Sequence, residues 1–347
     1  MYKIAGKANT RLLVGVLVAM AVVVAVAAVV RLDVFGRRGN RLGQRFQYNI
    51  EELARIDPKL ILYEEAGGAI ETGFTASHAI AVDSKGTICV AGDRAIRKFS
   101  DRGVVLGEIG LAGEPGCLTV LADGTIYVGF KDHVEIYDAQ GQRKGSWDSL
   151  GPDAHLTSIA VSDENVFAAD AGNRVVVRYD ASGNLVGYIG KKDSSRNVPG
   201  FVIPSPYFDL AVSRDGLLRV VNPGRRRIEA YTFDGDIEFW WGSGSVAIEG
   251  FCGCCNPVNI ALLPDGGYVT CEKGLVRVKV YDSEGQFVGV VAGPRQLVRD
   301  GELRVCDLPE ECQAGGFDVA VDPAGRILVL DTIKNIVRIF SKIEGRS

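Results

Sequence analysis

The sequence has few of the residues and motifs on which common enzyme classes depend. Its 347 residues include only three histidines, two methionines and three tryptophans, and the formal net charge is −4. It contains no G-x-S-x-G nucleophile motif, H-E-x-x-H zinc motif, glycine-rich phosphate loop or C-x-x-C-H haem motif. The near balance of charge argues against a dedicated nucleic-acid-binding protein, so no nucleic acid is expected as a partner. An apolar content of 47% excludes a disordered chain.

Helical periodicity is also missing between the apolar runs of the body, which excludes an α/β fold. A phrase of apolar runs separated by tight turns recurs instead, at intervals of roughly 40 to 60 residues. Six copies begin at Ile80, Leu118, Ile159, Leu210, Ile260 and Val319. Most copies contain four short β-rich segments, which is typical of propeller blades. The sequence therefore predicts an all-β, six-bladed β-propeller.

The copies share one pattern of strands and turns. IAVDSKGTICVAGDRAIRKFS from Ile80 and LTVLADGTIYVGFKDHVEIYD from Leu118 show an apolar inner strand, an Asp- and Gly-bearing turn and a third strand ending in an aromatic residue. Over about 77–341 the chain resembles NHL-repeat propellers of the TolB-like class. The resemblance implies a rigid platform that binds a protein partner or a small ligand, and it does not by itself imply an activity.

The amino-terminal region differs from the body in charge. Residues 1–46 carry a net charge of +7, which leaves −11 for the remainder. Leu12 to Val30 is an uncharged run of 19 residues between Arg11 and Arg31, long enough for a transmembrane helix. The alternative is a cleaved signal peptide, with Ala25-Val26-Ala27 as the cleavage site. We expect the uncleaved anchor, in which residues 1–11 are a tail, 12–30 a single-pass membrane helix and 31–59 a basic stem.

The orientation of this anchor depends on two opposed signals. The flanking charges favour a cytoplasmic body, because five basic residues come after the span and three precede it. A short tail before a single span is typical of a signal anchor that exports the rest of the chain, and the cysteines suit an oxidising compartment. We therefore expect a periplasmic or otherwise extracytoplasmic propeller.

The end of the repeat predicts how the ring closes. The sixth copy ends at Phe340, which leaves too few residues for a fourth strand. Residues 60–64 have strand composition and are expected to supply that outer strand, which removes the open edges of the ring. The propeller then spans 60–341 and is followed by a tail, 342–347, while Ile50 to Ile56 is a candidate short helix in the stem.

Polar residues at the starts of the inner strands form the first candidate site. The aligned positions are Ala79, Cys117, Ser158, Asp209, Asn259 and Asp318, which should surround the mouth of the central channel. Carboxylate, amide and hydroxyl oxygens suit a divalent cation such as Ca²⁺, and lactonase-type six-bladed propellers hold a metal with similar residues. The alternative is that these residues cap strands.

A second group of polar residues lies at the ends of the second strands. We expect these side chains to bind turn amides or to pair with Arg227 and Arg277. They are Asp170, Asn222, Glu272 and Asp331.

A group of cysteines forms the second candidate site. Six of the eight cysteines lie in or near two late loops: Cys252, Cys254, Cys255, Cys271, Cys306 and Cys312. Structural disulfides, a thiolate-bound metal or Fe–S cluster, and a redox-active pair are the three interpretations. A disulfide between adjacent Cys254 and Cys255 would be easily reduced, because their Cα atoms are closer than in ordinary disulfides.

Single residues complete the expected binding face. They are His155, Tyr207, Arg225, Glu272 and Lys273, all next to the ends of strands on the face that carries the longest loops, 191–206, 243–256 and 294–316. The sequence thus favours a membrane-anchored binding platform. The alternatives are a metal-binding or redox protein that uses the cysteines, and a metal-dependent hydrolase or lyase with Asp209, Asp318 and His155 at the channel.

Overall fold

The computed structural model describes residues 14–24, 50–298 and 316–346. The chain divides into two compact units, Met1–Tyr48 and Asn49–Ser347. The described part of the first unit is helix α1, residues 14–24, and all of its side chains are exposed. No helix within the described residues has both the length and the apolar character needed to cross a bilayer. The tail 1–11, the rest of the predicted span 12–30, and residues 31–49 of the stem lie outside the described residues.

The described part of the second unit consists of six antiparallel sheets, five of which follow the order of the chain. The first two blades contain β3 (Ser77–Val82), β4 (Ile88–Gly92), β5 (Ala95–Phe99), β6 (Val105–Gly110), β7 (Cys117–Val120), β8 (Ile126–Gly129), β9 (Val134–Tyr137) and β10 (Arg143–Ser146). The third and fourth contain β11 (Leu156–Ser162), β12 (Asn165–Asp170), β13 (Val175–Asp180), β14 (Leu185–Ile189), β15 (Leu210–Val212), β16 (Leu218–Asn222), β17 (Arg227–Tyr231) and β18 (Ile237–Trp241).

The last two blades complete the ring. They contain β19 (Asn259–Leu262), β20 (Tyr268–Glu272), β21 (Arg277–Tyr281), β22 (Phe287–Ala292), β23 (Asp318–Val321), β24 (Ile327–Asp331) and β25 (Ile336–Lys342), with β1 (Tyr63–Glu65) and β2 (Ile70–Glu71) added to the sixth sheet. Each inner strand lies against the inner strands of both neighbouring blades, including β23 against β3. The six-bladed, all-β propeller predicted from the repeats is therefore confirmed.

Helices contribute little to this unit. The described helical segments are α2 (Ile50–Leu53), α3 (Pro294–Leu297) and the 3-10 turns Pro58–Leu60 and Pro223–Arg225. Ala54 is buried, and the space above Gly293 is filled by Ile56. Residues 50–59, which the sequence assigned to the stem, are thus part of the propeller unit.

The repeated Asp-x-x-Gly turns fix the register between strands. Oδ1 of Asp180 accepts hydrogen bonds from the backbone N–H groups of Ser182 (2.9 Å) and Asn184 (2.8 Å). Gly183 lies at φ +87°, which only glycine adopts without strain. Because each turn is closed by its own residues, the pattern is readable from the sequence in five of the six copies. In the fourth copy, Ser213 and Thr232 stand in place of the aspartate.

The core lies between neighbouring blades. The middle strand β12 is buried on both faces, so it reads as a continuous apolar run and not as an alternating one. Phe167 of β12 packs with Leu218, Val220 and Tyr231 of the next blade. Burial of one such aromatic side chain contributes roughly 2 to 3 kcal/mol. These apolar layers hold the blades at fixed angles around the central channel.

The amino-terminal segment closes the sixth blade. β1 pairs antiparallel with the last strand, with Tyr63 opposite Lys342 and Glu65 opposite Phe340. Oε1 of Glu65 binds Nε of Arg338 at 2.8 Å, and Arg338 is buried. The outer strand lies at 63–65, whereas the sequence analysis placed it at 60–64. The shift arises because Pro58 starts a 3-10 turn that includes Leu60.

Candidate functional site

A channel along the axis of the ring opens on the face at which the inner strands begin. Its cavity has a volume of about 1090 Å³ and is lined by all six inner strands. Loops contribute Glu114, Lys131, Tyr207 and Thr332 around the mouth. A cavity of this size can accommodate a small-molecule ligand or the end of a partner protein. A smaller cavity of about 460 Å³ lies where the inner strands end and is lined by residues that include Ser84 and Arg214.

The polar residues at the starts of the inner strands connect each blade to the next. Each bond joins a side chain to the backbone of the following blade: Ser158 Oγ accepts from Leu210 N (3.4 Å), Asp209 Oδ2 from Ile260 N (2.7 Å) and Asp318 Oδ2 from Ile80 N (2.8 Å), while Asn259 Nδ2 donates to Phe317 O (2.8 Å). These side chains therefore brace the ring from the third blade around to the first. Cys117 occupies the same position in the second blade, but it is buried and packs in the core.

These bridges account for the two carboxylates that were candidate calcium ligands. The second oxygen of Asp209 accepts from Leu210 N, and that of Asp318 accepts from Val319 N, both at 2.8 Å. In the described part of the chain, no three His, Cys, Asp or Glu side chains are grouped so that they could hold a metal ion. The strand-capping interpretation of the ring therefore accounts for the geometry, and the calcium hypothesis gains no support from it.

The channel carboxylates have perturbed acidity. Burial raises the pKa of Asp209 to about 6, against the hydrogen bonds that it accepts. Burial, reinforced by the charge of Asp209, raises the pKa of Asp318 to about 7. Burial also raises the pKa of the Cys117 thiol, and both carboxylates add to this effect. The charge of the channel therefore becomes more negative as the pH rises through about 6 and about 7.

The ends of the second strands hold the loops of the same face. Oδ1 of Asp170 accepts from the backbone N–H of His155 at 2.9 Å. Oδ1 of Asn222 accepts from Val202 N at 3.0 Å. Oδ1 of Asp331 accepts from Ile333 N and Lys334 N in its own turn. Arg227 was a candidate partner for this group, but it pairs with Glu229. These residues position loops, as expected from the repeat.

Glu272 anchors the start of the cysteine-bearing loop, residues 252–256, through a hydrogen bond from the backbone of the loop. It is buried, not exposed on the binding face as the sequence suggested, because β20 is covered on both sides. Its carboxylate pairs with the buried Arg277, lies 3.4 Å from Nζ of Lys279 and accepts from the backbone N–H of Cys252 at 3.0 Å. Burial lowers the pKa of Lys279 to about 8. One end of the loop is therefore fixed by a buried charge cluster.

Asn256 fixes the other end of the loop. Its side chain accepts from Lys273 N (2.9 Å) and donates to the carbonyl oxygens of Lys273 (3.0 Å) and Cys252 (2.6 Å). The Asn256-Pro257 peptide bond is cis. Residues 253–255 are thus held between two anchored positions beside the channel mouth.

The six cysteines in the described part of the chain do not form one cluster. The Sγ atoms of Cys254 and Cys255 lie 3.6 Å apart, with Cys254 exposed and Cys255 buried. Cys252 is partly exposed and lies near Arg277 and Glu272 instead. Cys271 was expected near the same face but is buried in the core next to Val258 and Val278. All six cysteines in the described ranges are free thiols, and Cys306 and Cys312 lie outside these ranges.

Cys255 lies next to the side chains of Lys273 and Ser205. Nζ of Lys273 lies 4.7 Å from the ring centroid of Tyr207, which lines the channel. Burial raises the pKa of Cys255 and lowers that of Lys273, while their interaction opposes both changes. Lys273 is consequently a buried partner of the thiol and not an exposed binding residue.

The remaining predicted residues lie apart from the thiol pair. His155 is exposed and lines the channel mouth. His78, also at the mouth, has Nε2 3.0 Å from the Glu114 carboxylate. Arg225 is exposed in the 3-10 turn after β16 and does not line the channel. Sequence reasoning missed Ser205 and Lys279. The alternation of charged Arg277 and Lys279 in an otherwise apolar strand was the one available signal for Lys279.

Comparison with known proteins supports the fold. A Bacteroides thetaiotaomicron VPI-5482 protein of unknown function shares 14% identity over 80% of this chain and 73% of its own, with a TM-score of 0.58. A streptogramin B lyase shares 11% identity over 83% of this chain and 100% of its own, with a TM-score of 0.57. The WD40 propeller domain of Doa1 shares 19% identity over 78% of this chain and 80% of its own, with a TM-score of 0.52. Identities this low show a shared propeller fold alone.

Neither sequence comparison adds a family. No protein-family model matches the chain, and no curated protein matches it. The NHL subtype therefore stays a prediction that rests on the repeats.

Proposed function

We propose that the protein is an NHL-like binding platform, anchored in a membrane, that recognises a partner protein or a small ligand at the mouth of its channel. The observation that carries this proposal is the cavity of about 1090 Å³, open on the face where the Cys254 loop and the Tyr207 loop meet. Propellers commonly serve as rigid platforms, and their function lies in the site and not in the fold.

The chemistry of the mouth supports recognition of a polar surface. Lys131, His155 and the His78–Glu114 pair come from three different blades and face the same opening. Below them the channel contains the carboxylates of Asp209 and Asp318. Both signs of charge are thus present around one concave site, an arrangement that gives a partner orientation and specificity more than raw affinity.

Rigidity of the frame supports the same proposal. The bridges from Ser158, Asp209, Asn259 and Asp318 fix the inner strands against one another. The loops that surround the mouth are held in turn by Asp170, Asn222 and Glu272. A preorganised site loses less conformational entropy when it binds.

Membrane attachment and the side of the membrane are parts of the proposal. The uncharged run 12–30 between Arg11 and Arg31 is the basis for a single-pass anchor. We place the propeller outside the cytoplasm because a short tail before a single span is typical of a signal anchor that exports the rest of the chain.

Site-specific photo-crosslinking in the native cell tests the proposed binding face. A photoreactive amino acid is placed at His155 in the full chain, and in a separate variant at the exposed Ser84, at the opposite end of the channel. We expect a discrete crosslinked product from position 155 and none of that product from position 84. Equal products from the two ends, or none from position 155, would contradict the proposal.

A further inference from the structure

We propose that Cys254 and Cys255 form a dithiol–disulfide exchange site beside the channel mouth, with Lys273 as the proton acceptor and an exposed disulfide bond as the substrate. This inference goes beyond the binding platform and is independent of which partner occupies the channel. It rests on the contacts of the two sulfurs, on the anchoring of their loop and on their contrasting exposure.

The two sulfur atoms are placed to bond with each other. Their separation of 3.6 Å is van der Waals contact, and a disulfide requires about 2.05 Å. A closing movement of roughly 1.5 Å is within the range of side-chain rotation. The described part of the chain offers no third ligand that would turn the pair into a metal site. The geometry therefore favours bond formation between the sulfurs over coordination of a metal ion.

The different exposure of the two sulfurs assigns their roles. Cys254 is exposed and can meet the disulfide of a substrate, whereas Cys255 is buried with 8% of its surface accessible. Attack on a substrate requires an accessible sulfur, so Cys254 is the attacking residue and Cys255 the resolving residue.

The surroundings of Cys255 suit a resolving thiol. Its sulfur lies next to the side chains of Lys273 and Ser205, and Sγ of Cys254 lies 3.6 Å from it. An amine in contact with a thiol can take its proton at the moment when the sulfur attacks. The ring of Tyr207 covers Lys273 from the side of the channel.

The loop is anchored at both ends by buried polar side chains. Glu272, itself held by Arg277 and Lys279, binds the backbone of Cys252. Asn256 binds the backbone of Lys273 on both its donor and its acceptor group. The same residue thus fixes the loop that carries the two thiols and the strand end that carries their proton acceptor.

The reaction consists of two exchange steps. The Cys254 thiolate, having lost its proton to water, attacks one sulfur of a substrate R–S–S–R′. That S–S bond breaks, a Cys254–S–S–R bond forms, and R′–S⁻ leaves and takes up a proton. Cys255 then gives its proton to the neutral amine of Lys273 and attacks Sγ of Cys254. R–S⁻ leaves and receives a proton, so two electrons and two protons pass from the dithiol to the substrate, and the Cys254–Cys255 disulfide remains.

Mass spectrometry of the full chain tests the first step and the order of attack. The purified protein is mixed with a large excess of oxidised glutathione or, in a second arm, of a disulfide-linked peptide dimer, because the easily reduced Cys254–Cys255 disulfide forms only when the substrate disulfide is in excess. The mixture is then quenched with acid and an alkylating agent. We expect wild type to form the Cys254–Cys255 disulfide. Cys255→Ser should accumulate the mixed disulfide at Cys254, whereas Cys254→Ser should not accumulate one at Cys255. Reaction with the peptide alone would identify a macromolecular substrate, and reaction with both probes would show that a small disulfide suffices.

Two matched variants separate the proposed chemistry from a structural role. Cys252→Ser removes a thiol of the same loop outside the pair and should leave both steps unchanged. Lys273→Arg replaces the amine with a guanidinium that stays protonated and cannot accept a proton, so closure of the Cys254–Cys255 bond should slow by about 10-fold or more while mixed-disulfide formation at Cys254 is unchanged. Retention of both free thiols in folded wild type with either probe would overturn the proposal. Equal modification of Cys254 and Cys252 would overturn it as well. Crosslinking at His155 that is unaffected by these variants separates this result from the fate of the proposed binding function.

Discussion

Oδ2 of Asp209 accepts a hydrogen bond of 2.7 Å from the backbone N–H of Ile260, the residue that begins the core of the next blade. The same geometry recurs between Asp318 and Ile80, across the junction where the sixth blade meets the first. A residue type that would suit calcium binding is therefore used to hold neighbouring blades together. The pKa values of Asp209 and Asp318 therefore affect the stability of the whole propeller.

The pH dependence of stability should report the buried channel carboxylates. The pKa of Asp209 is raised from 3.8 to about 6 in the folded protein, so the folded state keeps a proton that the unfolded state has lost between these values. Its contribution to the free energy of unfolding is thus full below pH 4 and lost as the pH rises through 6, by at most about 3 kcal/mol. Asp318, with a pKa of about 7, acts in the same direction.

Urea unfolding of wild type, Asp209→Asn and Asp318→Asn from pH 4 to pH 8 measures this effect. The stability advantage of wild type over each variant should shrink as the pH rises. Carboxylates with a lowered pKa, such as Asp180, contribute the opposite slope but are common to all three proteins. A difference that is constant across the range would show that these residues are ionised in the folded protein throughout.

Closure of the ring should depend on the ion pair between Glu65 and Arg338. Glu65→Gln leaves the buried Arg338 guanidinium without its carboxylate and should lower the free energy of unfolding at pH 7 by about 1–3 kcal/mol. Arg338 lowers the pKa of Glu65, so the contribution is present at neutral pH and lost as the pH falls through that lowered pKa. The exposed neighbour Glu64 provides the control, Glu64→Gln, which should be close to neutral. A Glu65 variant as stable as this control would exclude a role for the ion pair in closure.

Removing Glu272 should destabilise the fifth blade and release the loop above it. Glu272→Gln leaves two buried cations, Arg277 and Lys279, without their counter-charge, which costs about 3–5 kcal/mol. Asp234→Asn breaks the exposed pair with Arg178 and should cost less than about 1 kcal/mol. Chemical unfolding gives the energies, and faster alkylation of Cys255 in the first variant reports the loosened loop. Unchanged alkylation would mean that Asn256 alone fixes the thiols.

Thiol labelling should distinguish Cys254 from the buried cysteines and report the side of the membrane. Cys254 is exposed, whereas burial raises the pKa values of Cys117 and Cys271 and raises that of Cys89 to about 11. A membrane-impermeant maleimide added to intact cells should therefore label Cys254 of the full chain, and the Cys254→Ser variant should lose that label. Labelling of Cys254 only after the cells are broken would place the propeller on the cytoplasmic side.

The sequence was sufficient for those features that depend on neighbouring residues in the chain. The Asp180–Gly183 turn is closed by its own backbone, so its pattern repeats visibly and predicts the blades. Asp209 was placed correctly at the start of an inner strand, but its function depends on an N–H group 51 residues away. Nothing local distinguishes a carboxylate that binds a metal from one that binds the next blade.

The cysteine-bearing face shows the same limit. Cys254 and Cys255 are adjacent in sequence, so their proximity was readable, whereas the contact of Cys255 with Ser205 joins loops of two blades. Cys271 and Glu272 were assigned to the face because they end a strand there. Both are buried because side chains cover β20 on both of its faces. Burial of this kind is decided by tertiary packing and not by the pattern of one strand.

Occlusion of the mouth is the most direct test of the proposed binding face. A polyethylene-glycol maleimide is attached to Cys254 of the full chain, and in a matched variant to Ser84→Cys on a Cys254→Ser background, at the opposite end of the channel. The amount of partner crosslinked at His155 is then measured for both proteins. We expect the bulky group at Cys254 to abolish the crosslink and the same group at position 84 to leave it intact. An undiminished crosslink with Cys254 blocked would show that binding does not take place at the channel mouth.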